Sequence, residues 1–165
     1  MTASLPNNAR NGIRIVPYRP GYKQAFHDLN MAWLEKYFTV EPVHRHALEN
    51  PESEIIEGGG EIFFAVRGDD VLGTVAIRAD GGGVYELTKL GVDPSAQGLG
   101  LGRLLCEAVI DHFCVMGGTR LYLETHTKLV PAMRLYETLN FTLMDKPEDA
   151  HYQGTDCYME WTGQQ

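Results

Sequence analysis

Residues 97 to 103 read Gln-Gly-Leu-Gly-Leu-Gly-Arg, so that Gly98, Gly100 and Gly102 alternate with Leu99 and Leu101. Glycines spaced in this way let backbone N–H groups approach a bulky anion with no Cβ in the path. An apolar, strand-like run from Leu87 to Val92 leads in through Asp93-Pro94, and an amphipathic helical pattern follows at once. The first N–H groups of a helix lack partners within it and carry partial positive charge. Together these features read as a cradle for a pyrophosphate. Leu99 and Leu101 are expected to anchor the loop in the core. Arg103 either reaches a phosphate or stands in water in the first helical turn.

Spacing separates the nucleotide-binding patterns. A P-loop needs a Gly-Lys pair followed by Ser or Thr, and Gly102 is followed here by Arg103 and Leu104. A dinucleotide fingerprint needs G-x-G-x-x-G directly after its strand. Gly98 and Gly100 fit it, but the third glycine falls on Arg103, and five residues separate Val92 from Gly98. Glu124 stands roughly where the ribose-binding acid would be, so this reading stays open as an alternative. So does a glycine loop that merely turns a strand into a helix. The third pattern, Q/R-x-x-G-x-G/A, is met by Gln97, Gly100 and Gly102. It resembles the acetyl-coenzyme A signature of the GNAT N-acetyltransferase superfamily.

Two further stretches carry the same resemblance. Pro131 to Phe141, Pro-Ala-Met-Arg-Leu-Tyr-Glu-Thr-Leu-Asn-Phe, is similar to the family's A-x-x-L-Y-E-x-L-G-F, with Asn140 in place of the glycine and Leu129 in place of a customary Asn. Glu86 lies eleven residues before Gln97, an offset at which one branch of the family carries its base. The resemblance implies acetyl-coenzyme A as cosubstrate. It implies a pantetheine arm paired to backbone groups of Leu90 and Val92, with the Leu90 N–H polarising the thioester carbonyl. It also implies Tyr136 as general acid, since a thiol of pKa about 8.5 can take a proton from a phenol of pKa about 10. Glu86 is the expected general base, with Glu124, Thr125 and His126 in reserve. An unbroken strand would set Glu86, Thr88, Leu90 and Val92 on one face. Acceptor selection is expected from Trp33, Tyr37, Phe38, Glu41 and Thr125; at helical spacing, Trp33 and Tyr37 also suit the core.

The elements that must hold these residues follow from periodicity. Ile13 to Tyr18 alternates as a strand, and Tyr22 to Phe38 has helical spacing. A short helix is expected over Val43 to Leu48, stopped by Asn50-Pro51. Glu61 to Val66, Val71 to Arg78 and Val84 to Val92 read as three strands joined by hairpins. Gly100 to Val115 is helical, Leu121 to Thr125 a strand, and a helix begins near Pro131. Phe141 to Met144 and Thr155 to Trp161 close the sheet. The expected architecture is α/β, with a central, mostly antiparallel mixed sheet of about seven strands and helices on both faces. Residues 13 to 165 are expected to form one domain, with a frayed tail over residues 1 to 12.

Composition bounds the rest. The chain has 165 residues, 44% apolar and 22% charged, with a net charge of −8. This charge argues against nucleic acid and mildly favours a cationic partner, a small-molecule or protein amine. No apolar run approaches a membrane span. Cys106, Cys114 and Cys157 form no metal or pairing pattern, so free thiols in a reducing cytoplasm are expected. His44-Arg45-His46 has no carboxylate or cysteine set at ligand spacing, so no metal is expected. A homodimer is left open, as is a coenzyme A-binding module that has kept the fold and lost the chemistry. Against the latter stands the presence of both Tyr136 and Glu86.

Overall fold

A computed structural model describes residues 12–38, 40–147 and 155–164; the tail expected over residues 1 to 12 falls, save for Gly12, outside them. The elements run β1 (Arg14–Pro17), α1 (Lys23–Tyr37), α2 (Pro42–Glu49), β2 (Glu61–Arg67), β3 (Asp70–Gly81), β4 (Val84–Val92), α3 (Leu101–Val115), β5 (Arg120–Thr125), α4 (Val130–Thr138), β6 (Phe141–Met144) and β7 (Cys157–Trp161). They form a seven-stranded sheet of order β1-β2-β3-β4-β5-β7-β6. Five of its pairings are antiparallel, and β4 with β5 is parallel. The expected α/β architecture, a mostly antiparallel mixed sheet with helices on both faces, is the one observed.

Local chemistry accounts for the joints. Gly82 and Gly83, with φ of 64° and 81°, make the two-residue turn between β3 and β4, where two positive φ values match the strands' twist. Pro42 opens α2 behind an extended Glu41, where its missing N–H costs nothing. Asn140 takes φ 74° just past α4, so it supplies the left-handed cap that a glycine would have given. One element has no counterpart in the periodicity. Glu52–Ile56 forms a single π-helical turn, with the Glu57 N–H donating to Glu52 O at 2.8 Å. Its Ile55 is buried and Ile56 packs partly buried beside it, so it shows no repeating stripe.

Two cores clamp the sheet. One face buries Leu101, Leu104, Leu105, Val109 and Phe113 of α3 against Val75, Ile77, Tyr85, Leu87, Leu121 and Leu123. Truncating such a residue, Leu105 for example, costs about 2–5 kcal/mol. The other face buries Phe26, Met31 and Leu34 of α1 and Leu48 of α2 against Ile62, Phe64 and Ala76. The second core covers β2, β3 and, through Val16, β1. Over β4, β5 and β7 the same face is instead polar.

Candidate active site

The β4–β5 pairing decides where a ligand can enter. Only Val84, Tyr85 and Glu86 pair with Arg120, Leu121 and Tyr122. Beyond Glu86 the two strands part, and both line one cavity of about 340 Å³. Leu87, Thr88, Lys89, Leu90 and Val92 form one wall, with Leu123, Glu124, Thr125 and His126 opposite. The ends are closed by Trp33, Leu34, Phe38, Glu41 and His44 from the α1–α2 side, and by Leu129, Ala132, Leu135 and Tyr136 from α4.

A bulge shapes the first wall. Thr74 pairs with Gly91 and Ala76 with Thr88, so Lys89 and Leu90 oppose Val75 alone. Lys89 takes φ 58°. Tyr85 and Leu87 before the bulge, and Leu90 and Val92 after it, all pack on the α3 core. A Cβ on Gly91 would meet the α1 carbonyl of Leu29 at 3.1 Å, so that residue faces α1. The expectation that Glu86, Thr88, Leu90 and Val92 share a face is therefore corrected. The extra residue moves Leu90 and Val92 to the face opposite Glu86, and it frees the backbone there from the β3 ladder.

The glycine loop opens on the cavity through Gln97. Asp93 prepares it by accepting the Ser95 N–H at 2.8 Å and the Ser95 hydroxyl at 2.7 Å. Gly98 and Gly100 take φ of 86° and 74°, and a Cβ on either would point into open space. Leu101 then starts α3, whose first intrahelical bond runs from the Leu104 N–H to Gly100 O at 3.2 Å. The N–H groups of Leu101, Gly102 and Arg103 precede it, as an anion site requires. Leu101 is buried and Leu99 half-buried against the core, as expected. Gly102 differs from its neighbours: its Cβ would meet Leu135 Cδ2 at 3.1 Å, so it serves the approach of α3 to α4. Arg103 is tied to Glu107 at 2.9 Å and to the Thr138 hydroxyl at 3.1 Å.

The titratable groups fall in two layers. Glu124 lies in the cavity wall with a side chain only 1% exposed, 4.0 Å from Lys146 Nζ and accepting from the Thr155 hydroxyl at 3.4 Å. His126 beside it accepts the Lys128 N–H at 3.1 Å and stands 3.7 Å from Asp156. Glu86 lies behind the wall, outside the cavity lining, fully buried and 3.3 Å from Arg78. Arg78 also meets Asp80 at 3.2 Å, and Asp80 accepts the Tyr122 hydroxyl. Burial holds the Glu86 carboxyl well above the ordinary carboxylate range, against the opposing charges of Arg78 and Lys89. Burial likewise pulls Lys89 down, against the pull of Glu86. His44 is pushed down to about 4, first by burial and then by Lys89. Tyr136 is buried against the core, which raises its phenol and keeps it protonated.

Of the residues singled out in the sequence, Leu90, Val92, Gln97, Tyr136, Trp33, Phe38, Glu41 and Thr125 share this cavity. Tyr37 does not: it is 40% exposed, its ring tilted against that of Trp33 at 6.0 Å. Trp33 and Phe38 make the aromatic wall, 5.5 Å apart, with Phe38 5.9 Å from the His126 ring. Sequence reasoning passed over Lys89, His44 and Asn30. Lys89 had a signal, a lysine where strand alternation calls for a core residue between Leu87 and Gly91. The other two are spaced like ordinary helix residues. Among the described residues no His, Cys, Asp and Glu group is disposed to hold a metal ion.

Known proteins share this fold. The model of the acetyltransferase (GNAT) family matches residues 23–141. The chain belongs to that family. A mycothiol acetyltransferase of Kocuria rhizophila is 30% identical over 156 residues, covering 86% of this chain and 48% of its own. The [ribosomal protein bS18]-alanine N-acetyltransferase of Salmonella typhimurium is 33% identical over 98 residues, covering 58% of this chain and 66% of its own. The chain thus spans about half to two thirds of the length of these relatives. Among solved structures, a GNAT acetyltransferase of Staphylococcus aureus Mu50 superimposes with a TM-score of 0.82 at 20% identity, over 90% of this chain and 98% of the other. A PaiA N-acetyltransferase of Thermoplasma acidophilum, solved with coenzyme A, gives 0.70 at 15% identity over 90% and 98%.

Proposed function

We propose that the protein is an acetyl-coenzyme A-dependent N-acetyltransferase that acylates a primary amine by direct attack. The observation that carries this reading is the parting of β4 from β5 beyond Glu86, bulged at Lys89 and flanked by the glycine loop. The residues present fit coenzyme A. The space where Gly98 and Gly100 would carry a Cβ is open, and a helix N-terminus stands behind it. The N–H groups from Gly98 to Arg103 would hold the pyrophosphate. Leu90 and Val92 would offer backbone groups to a pantetheine arm, and the Leu90 N–H would polarise the thioester carbonyl. When bound, acetyl-coenzyme A supplies an activated acetyl group. One relative, the [ribosomal protein bS18]-alanine N-acetyltransferase, is named for an amine acceptor, which supports this reading.

This chain's own residues manage protons and position. Glu124, in the cavity wall, attracts and orients the acceptor ammonium. Glu86 takes the amine proton through water, because its carboxylate stands behind the wall. Its raised affinity for a proton suits a base working near neutrality. Tyr136 stays protonated and donates from its hydroxyl to the departing thiolate. Cys106, Cys114 and Cys157 are free thiols, and none lies in the cavity wall. The test is release of coenzyme A thiol from acetyl-coenzyme A across a panel of primary amines. Turnover with at least one amine is expected. Tight cofactor binding with no turnover would reduce the protein to a coenzyme A-binding module.

A further inference from the structure

Glu86 sits at the centre of a polar row that crosses three strands. The register sets Arg78 of β3 opposite it on one side and Tyr122 of β5 on the other. Residues opposite one another share a face of the sheet. Arg78 reaches Glu86 Oε1 at 3.3 Å through Nη2, and Asp80 Oδ1 at 3.2 Å through Nε. Tyr122 spans β4 to donate its hydroxyl to Asp80, and Tyr158 of β7 stacks on the Tyr122 ring at 5.5 Å. The guanidinium is thus held between two carboxylates, one of them tied in turn to a phenol. The Glu86 side chain is 1% exposed and that of Arg78 23%, so the cation keeps some water while its partner keeps almost none. Such a pair is a poor device for stability, since apolar residues of similar volume often serve as well.

Left to burial alone, Glu86 would keep its proton at neutral pH, and the negative charges of Asp80 and Glu124 add to that tendency. Two cations oppose it, Arg78 and Lys89. Lys89 is itself pulled down by burial, and His44 of α2, which feels its charge, is held neutral. Of these groups only Arg78 keeps a full positive charge at every working pH, because a guanidinium does not release its proton. We propose that Arg78 is a positioning residue that keeps the Glu86 carboxylate ionised and aimed, while Asp80 and Tyr122 fix the guanidinium. This rests on the reading of Glu86 as the base of an acetyltransferase. Arg78 lies outside the cavity lining, so it acts on the reaction through Glu86.

The experiment follows Glu86 itself and then the reaction. Protein labelled with carbon-13 at the glutamate carboxyl carbons is titrated by NMR, the Glu86 signal being the one lost in Glu86→Gln. Wild type is compared with two neutral variants, Arg78→Met and Arg78→Gln, and with Arg78→Lys, each first shown by thermal melting to be folded. A neutral residue should move the Glu86 midpoint up by about 1–3 pH units, the range for an opposite charge this close. Arg78→Lys should return much of that shift. The acidic limb of the kcat/KM profile with one accepted amine should move in the same direction by a similar amount, with KM for acetyl-coenzyme A unchanged. In a Glu86→Gln background, Arg78→Met should cost no further turnover. A midpoint that stays in place in both neutral variants overturns the proposal while leaving the acetyltransferase reading intact. So does a midpoint that moves without the limb, which removes Glu86 as the base. Absence of turnover with every amine sinks both.

Discussion

Tyr136 and Glu86 face opposite tasks, and burial acts on both in the same direction. Burial raises both groups. For a phenol this keeps the hydroxyl protonated at neutral pH while making it a weaker acid; for a carboxylate it strengthens the pull on a proton to be taken. Tyr136→Phe removes one oxygen from a site that is otherwise packing, so cofactor affinity should survive while turnover falls by about 10²–10⁴-fold. Glu86 must be ionised to act. Its raised pKa therefore places the acidic limb of the pH–rate profile above the ordinary carboxylate range, with activity lost as pH falls through it. Glu86→Gln should slow turnover, abolish that limb and be partly rescued at higher pH, where the amine arrives deprotonated. Glu124→Gln, by contrast, should raise KM for the amine with the limb intact. Profiles of the three variants with one accepted amine decide the matter. A limb that vanishes in Glu124→Gln and persists in Glu86→Gln would transfer the base role to the wall residue.

At the level of elements, the glycine loop and the bulge show what a sequence can and cannot disclose. Every helix and strand of the expected order is present, because each carries a periodic stripe or a turn signal. The π-helical turn at Glu52–Ile56 and the bulge at Lys89 are not periodic, so neither was legible. The bulge mattered most. One inserted residue reversed the face of Leu90 and Val92 relative to Glu86 and delivered Lys89 to the cavity. The left-handed loop was legible because Gly98 and Gly100 serve backbone conformation directly, whereas Gly102 serves the α3–α4 contact, which no local pattern encodes. Gly100→Ala isolates the cradle. Its left-handed backbone costs about 1–2 kcal/mol for any L-residue, and Gly117 at φ 68°, also with open space around its Cβ, is a matched control at the far end of α3. Both variants should lose similar stability in urea, while only Gly100→Ala should lose affinity for coenzyme A. Equal affinities would misplace the cradle. On α2, His44 is held neutral down to about 4, against an ordinary value of 6.5. The unfolded chain takes up that proton first, so stability is lost as pH falls from above 6.5 toward 4. His44→Gln should flatten that loss in denaturant titrations at pH 7.5 and 4.5; an unaltered slope would assign the acid sensitivity elsewhere.

The whole molecule is two half-sheets joined by a short seam. Strands β1 to β4 form one antiparallel half, β5, β7 and β6 the other, and three residue pairs of β4 and β5 connect them in the sheet. Helix α3 bridges the halves beneath through Phe113, whose ring lies 5.9 Å from Tyr85 of β4 and 5.9 Å from Trp161 of β7. A cofactor lying in the opening would touch the Leu87–Val92 wall, the α3 N-terminus and the α4 side together. It would then oppose separation of the halves, a step that global unfolding must include. Acetyl-coenzyme A at about 100 times its dissociation constant should add roughly 2.7 kcal/mol to stability. For a chain of this size that is about 5–10 °C in melting temperature, at roughly 2–4 °C per kcal/mol. Amide exchange should slow together in Leu87–Val92 and Leu123–Thr125, on opposite sides of the seam, because one ligand restrains both. NAD offers a pyrophosphate but no arm to lie along β4, so it should neither raise the melting temperature comparably nor slow exchange at the two walls. Stabilisation by NAD without stabilisation by acetyl-coenzyme A would return the glycine loop to the dinucleotide reading, with Glu124 as its ribose acid.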